Sequence, residues 1–192
     1  MRKVLFIALA VMLCGLSAVA QDYSKAELAG GWNYLHLDEG STGTQNGFPG
    51  GFFIDGTYYF TKLIGVTGDF EFNKKTFSQD VNFAAGDQGR VLSFHGGPRV
   101  KARVGKFEPF AHALFGVTNA QFTPAGGTSL SDNAFSMKIG GGVDYAFAQH
   151  FAVRLGEFNY YMTKFGLNSN VNFNPGSDQQ NNFTFGVGIV IR

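Results

Sequence analysis

The sequence predicts an all-β fold, an eight-stranded antiparallel up-and-down transmembrane β-barrel, and three observations carry that expectation. Apolar residues recur at every second position in eight separate segments, the period of a strand with one greasy face. Tight turns and long polar connections alternate strictly between those segments. After residue 20, no stretch has a helical period or approaches the roughly 18 apolar residues of a spanning helix.

Residues 1–20 are expected to be removed. Arg2 and Lys3 form a basic start, residues 4–16 an apolar run, and Ala18-Val19-Ala20 a small-x-small cleavage site ahead of Gln21, the layout of a secretory signal peptide. Cys14 follows Leu13 instead of a small residue, so lipidation is not expected. Residues 21–192 then form one domain, the barrel itself. Taking Arg2 and Lys3 from the 15 basic residues leaves that domain one positive charge short of its 14 acidic ones. Such a balance offers no basic face for nucleic acid. The domain has no cysteine, which excludes a disulfide framework, a cysteine metal site and a thiol nucleophile. The chain's 22 Phe, 7 Tyr and 27 Gly suit strands, membrane interfaces and close backbone approach.

The segments follow in order. Residues 26–37 set Leu28, Trp32 and Tyr34 against Glu27, Gly31 and Asn33. Residues 50–60 set Phe52, Ile54, Tyr58 and Phe60 against Phe53, Asp55, Thr57 and Tyr59. Residues 63–73 set Ile64, Val66, Phe70 and Phe72 against Gly65, Thr67, Asp69 and Glu71. Residues 90–104 set Leu92, Phe94 and Val100 against Ser93, His95, Gly97, Arg99 and Lys101. In 107–120, Ala111, Ala113, Phe115 and Val117 face outward, with His112, Leu114 and Gly116 inward. Residues 134–147 place Phe135, Met137, Ile139, Val143, Tyr145 and Phe147 opposite Lys138, Gly140, Gly142 and Asp144. The seventh segment starts at residue 151 with Val153 and Leu155 outward and Arg154 inward. Its phase slips at Gly156-Glu157, the mark of a bulge, and Phe158, Tyr160 and Met162 then carry the apolar parity. The last, 182–192, alternates Phe183, Phe185, Val187, Ile189 and Ile191 with small residues, over about the 9–11 residues a tilted strand needs to cross a bilayer.

Thr61-Lys62, Gly105-Lys106 and Ala148-Gln149-His150 make the tight turns, while residues 38–48, 74–89, 121–133 and 164–181 are long, polar connections. Bacterial outer-membrane barrels are built this way, with short periplasmic turns and long external loops, and an even strand count puts both termini in the periplasm.

The inward parity collects a lumenal charge network: Asp55, Asp69, Glu71, Asp144 and Glu157 against Arg99, Lys101, Lys138 and Arg154. Eight strands enclose a lumen only wide enough for side chains, where unpaired charges cost several kcal/mol each. A salt-bridge network is therefore expected, centred on Arg99 and Arg154 with Asp69, Glu71 and Glu157, because the planar guanidinium bridges two carboxylates. As a structural plug it fixes register; the alternative is a narrow pore gated by partner exchange. Trp32, Tyr34, Tyr58, Phe60, Tyr145, Phe147, Tyr160 and Tyr161 lie near segment ends and are expected to form aromatic girdles.

His36, His95, His112 and His150 show no HxH or HExxH spacing for zinc, so no metal or other cofactor is expected. His95 and His112 could face each other inside the lumen. No GxSxG or GxxxxGK[ST] occurs, and Gly140-Gly141-Gly142 lies within a strand pattern. A lipid-modifying enzyme would need Ser, His and carboxylate at the lipid-facing rim; Ser93 and His95 point inward.

The leader, the eight alternating segments, Gly30-Gly31-Trp32-Asn33-Tyr34 and the Phe183-Thr184-Phe185-Gly186-Val187-Gly188-Ile189-Val190-Ile191 ending together resemble small outer-membrane β-barrel proteins, similar to OmpX-like barrels and the transmembrane domain of OmpA. The resemblance covers the mature chain and implies insertion by the barrel-assembly machinery, which reads the last strand. Family members commonly end in an aromatic residue, whereas this chain ends Ile191-Arg192, and no peptidoglycan-anchoring domain is expected after the barrel. The expected role is non-enzymatic, in membrane integrity or in surface interaction through the four loops. Its expected partners are outer-membrane lipids, the assembly machinery and a loop ligand; a gated pore, a lipid-modifying enzyme and a soluble lipocalin-like barrel are the alternatives.

Overall fold

A computed structural model of the chain describes residues 23–37, 47–79, 84–165 and 179–192. Eight strands form a closed antiparallel barrel in sequence order: β1 (Ala26–His36), β2 (Gly47–Tyr59), β3 (Ile64–Thr76), β4 (Gln88–Lys101), β5 (Phe107–Thr123), β6 (Leu130–Ala146), β7 (Phe151–Lys164) and β8 (Gln179–Ile191). The expected signal peptide, 1–20, lies outside the described residues, as do most of the first and last long connections.

Closure occurs between β1 and β8, where Gly31 sits opposite Gly188. A Cβ on either glycine would run into the backbone of the other strand, so this seam tolerates no side chain at that level. The bulge predicted in β7 is present: Val143 pairs Gly156 and Asp144 pairs Arg154, leaving Leu155 unopposed. A second irregularity, between Asn33 and Leu35 of β1, leaves two residues of β2, Pro49 and Gly50, opposite the single residue Tyr34. Pro49 cannot donate to the ladder, and its carbonyl accepts from Trp32 Nε1 at 2.6 Å.

The barrel has two zones of opposite polarity. From the turn end up to Tyr34, Phe52, Phe72, Leu92, Val117, Phe135, Met162 and Phe183, outward positions are apolar and inward ones are mostly polar. Beyond that line the order inverts. Lys74, Arg90, Asn119, Gln121, Asn133, Lys164 and Asn181 face outward, while Leu35, Leu37, Phe48, Phe77, Val91 and Tyr161 cluster inside with Phe122 packed against them. Phe165 joins Ala120 and Ala134 in a neighbouring cluster. A strand surrounded by hydrocarbon needs its apolar face out; one that continues into water must turn that face in. On β5 the outward apolar run from Phe107 to Val117 matches the span of a bilayer, and the strand continues six residues further, to Thr123.

That extension corrects the expected connections. β5 and β6 run as a ladder through Gln121–Ser131 and Phe122–Leu130, so the expected 121–133 loop shrinks to 124–129. β3 likewise continues to Thr76 and β4 starts at Gln88. Polar residues that look like loop in the sequence are the outward face of strands that continue beyond the apolar band. At the other end β4 stops at Lys101, short of the expected 104, and Val104 forms only an isolated bridge to Phe107.

Candidate functional site

The inward face of the lower barrel is the candidate site, because the strand period delivers charged side chains there from β1 to β7. Asp55 lies between two guanidinium groups: Arg99 Nη1 donates to Oδ1 at 2.8 Å and Arg154 Nη1 to Oδ2 at 2.5 Å. Arg154 also donates through Nε to Asp144 Oδ1 at 2.9 Å and through Nη1 to Glu157 Oε2 at 2.6 Å. The bulge permits this last contact, since it returns Glu157 to the inward face beside Arg154. Arg99 and Arg154 are each 1% exposed and stack on Phe110, with guanidinium carbons 4.7 and 4.5 Å from its centroid.

Arg99 Nη2 donates to His112 Nδ1 at 3.2 Å, which places the imidazole hydrogen on Nε2, and Nε2 donates to Asn159 Oδ1 at 2.8 Å. Lys101 Nζ joins Glu27 at 2.6 Å, Asp144 at 2.9 Å and Glu108 at 3.5 Å. At the turn-end mouth Arg103 holds the other Glu27 oxygen at 3.2 Å, and Arg192 holds Glu108 at 2.5 Å.

A second cluster sits nearer the loop end. Lys138 Nζ bridges Asp69 at 2.6 Å and Glu71 at 2.7 Å. His95 Nδ1 donates to Asp69 Oδ1 at 3.3 Å, so Nε2 accepts from Ser136 at 2.9 Å. Thr118 donates to Ser136 at 2.9 Å and in turn accepts from the Tyr161 hydroxyl. The protons therefore run one way, from Tyr161 through Thr118, Ser136 and His95 to Asp69.

All nine residues expected in the network face inward and carry an ion pair. The pairing differs from the expectation in one respect: Asp69 and Glu71 are held by Lys138, and the arginines take Asp55, Asp144 and Glu157. Shear between strands sets which carboxylate lies level with which cation, and no single strand reveals it. His95 and His112 do not meet, because the register sets His95 opposite Gly116 and His112 opposite Arg99. Glu27 and Glu108 were missed as network members, although both lie on inward parity; Arg103 and Arg192 lie in a turn and at the chain's end, where parity has no meaning.

Trp32, Tyr34 and Tyr160 project from the loop end of the apolar band, and Tyr58, Phe60, Tyr145 and Phe147 from the turn end. Tyr58 contacts Phe60 with centroids 5.4 Å apart, and the Tyr160 hydroxyl donates to Asn181 at 2.6 Å. Tyr161 is a correction: it is 1% exposed and lies in the lumen, because the outward parity of Tyr160 and Met162 turns the residue between them inward. β8 presents Phe183, Ile189 and Ile191 outward, with Phe185 and Val187 half-buried among neighbouring outward side chains.

Residues 6–190 match the family described as Outer membrane protein beta-barrel domain. No curated protein sequence matches the chain. Among solved structures, Ail, the attachment invasion locus protein of Yersinia pestis, in complex with the heparin analogue sucrose octasulfate, is similar with a TM-score of 0.56 and 19% identity, over 86% of this chain and 97% of that one. Neisserial surface protein A (NspA) is similar with a TM-score of 0.63 and 11% identity, over 89% and 99%. OprG from Pseudomonas aeruginosa gives 0.50 and 11%, over 91% and 98%. These likenesses are of fold.

Proposed function

The chain belongs to the outer membrane protein β-barrel domain family, and from that premise we propose that it is a non-enzymatic outer-membrane barrel serving membrane integrity or surface interaction at its loop end. The observation that supports this most directly is the filled lumen: a charge network occupies the membrane zone and an apolar cluster closes the extension above it. Ser93 and His95 lie inside that filling, away from any lipid substrate on the outer face. In this reading residues 1–20 direct export and are removed, the barrel-assembly machinery reads β8, both termini lie in the periplasm, and the two sets of aromatics sit at the membrane interfaces.

Purified protein reconstituted in planar bilayers is expected to hold a closed baseline, and a deletion strain to gain sensitivity to detergent. Steady conductance through the wild-type barrel would overturn the closed-lumen reading. Sucrose octasulfate, seen with Ail, is the first loop-end probe to try. The gated-pore alternative has one observation in its favour. Arg99 Nε and Arg154 Nη2 are buried without partners, beside an Asp55 that both residues share. Spare donors next to a shared acceptor lower the cost of exchanging partners. On that reading Arg99→Ala or Arg154→Ala turns the closed baseline into frequent openings.

A further inference from the structure

The charged side chains of the barrel are sorted by sign between its inside and its outside. Among the described residues the exposed charged side chains are Lys25, Lys62, Lys74, Arg90, Lys106 and Lys164, all of them cations. Every described side-chain carboxylate is buried except that of Asp132, which is half-buried on the inward parity of β6. The near-even charge of the domain conceals this segregation.

Two of these cations stand side by side. Lys74 of β3 and Arg90 of β4 are register partners on the outward face. Like charges placed directly opposite on one sheet face destabilise a pair of strands. Nothing around them relieves this. Lys74 is flanked on β2 by Gly50, which has no side chain, and Arg90 on β5 by Gln121. The next outward residues on their own strands are Phe72, Thr76, Gln88 and Leu92, none of them acidic. The described carboxylates nearest in sequence are committed elsewhere: Glu71 faces Lys138 in the lumen, and buried Asp87 accepts from the amides of Ala84 and Ala125. Neither the Lys74 nor the Arg90 side chain has an ion pair or hydrogen bond among the described residues.

The pair also has a defined height. It is the first outward step beyond Phe72 and Leu92, which face each other at the loop-end edge of the apolar band. Two residues at about 3.3 Å each, on a strand tilted by about 40°, lift the charges roughly 5 Å above that edge. That is the depth of the headgroup layer beside a hydrocarbon core. The other outward cation at this end, Lys164, stands three strands away on β7, and Asn119, Gln121, Ser131 and Asn133 occupy the outward positions between.

We propose that Lys74 and Arg90 clamp the phosphate of an anionic lipid headgroup in the loop-end leaflet, with Phe72 and Leu92 against the upper part of its chains. The arginine fork takes two phosphate oxygens and the lysine brings a point charge to a third. One anionic group thereby turns the repulsion within the pair into two attractions. The inference rests on the membrane reading proposed above.

The chain has a single tryptophan, so a reporter can be moved next to the pair. The barrel carrying Trp32→Phe and Leu92→Trp is folded into phosphatidylcholine vesicles that contain, at equal mole fraction, either brominated phosphatidic acid or brominated phosphatidylcholine. Heat-modifiable gel migration confirms that each variant is folded. Phosphatidic acid is expected to quench the indole several-fold more strongly than phosphatidylcholine. Adding Lys74→Gln and Arg90→Gln should erase that preference, whereas Lys62→Gln and Lys106→Gln in the tight turns should leave it intact. Equal quenching by the two lipids overturns the proposal and leaves the membrane reading standing. So does a preference that survives loss of Lys74 and Arg90, or one that the turn substitutions abolish as well. No quenching by either lipid in a folded barrel would instead overturn the membrane reading itself, and the proposal with it.

Discussion

Arg154 shows what a single lumenal residue does. It contacts Asp55, Asp144 and Glu157 while 1% exposed, and its guanidinium lies against Phe110. A buried cation serving three carboxylates is not worth the sum of its contacts, because desolvation offsets most of the attraction. Removing it is another matter, since the carboxylates stay behind unpaired. Arg154→Ala is expected to cost about 3–5 kcal/mol, read from urea unfolding of protein folded into lipid vesicles. A loss below about 1 kcal/mol would mean that water or neighbouring cations take over the carboxylates. Phe110 and Phe53 also face the lumen, where their rings stack on the guanidinium groups and fill space between the charges.

At the scale of the strand, parity decides which side chain meets which solvent, and height along the strand decides what that solvent is. Outward Ile139 lies within the apolar band of β6 and outward Asn133 lies above it. Ile139→Lys is expected to cost about 2–4 kcal/mol, as a cation on the lipid face near the midplane does. Asn133→Lys should change stability by less than about 0.5 kcal/mol, as exposed substitutions usually do. The same denaturant titration checks both, and equal costs would show that the polarity inversion does not mark the membrane boundary. The β7 slip at Gly156-Glu157 was readable in the sequence because the apolar parity changes there. The β1–β2 irregularity was not, since Pro49 and Gly50 leave the parity of the flanking residues unreadable.

For the whole molecule, closure in sequence order places all three tight turns at one end with residues 23–25 and Arg192, and the four longer connections at the other. Because residues 21–192 contain no cysteine, introduced ones report orientation cleanly. Thr128→Cys in the β5–β6 connection is expected to react with a membrane-impermeant maleimide on intact cells, and Lys106→Cys in a tight turn only after permeabilisation. The reverse pattern would put the termini outside the cell.

The eight strands, their facing within the apolar band (Tyr161 apart) and the inward position of the nine charges were legible in the amino-acid order, since a period of two is a local property of the chain. Which charge pairs with which was decided only by the closed barrel, because partners such as Arg154 and Asp55 stand 99 residues apart and the stagger between strands sets their height. The loop-end apolar cluster likewise belongs to the tertiary structure: Leu35, Phe48, Phe77 and Val91 are ordinary inward residues one strand at a time, and they become a core only when closure brings them together beyond the apolar band.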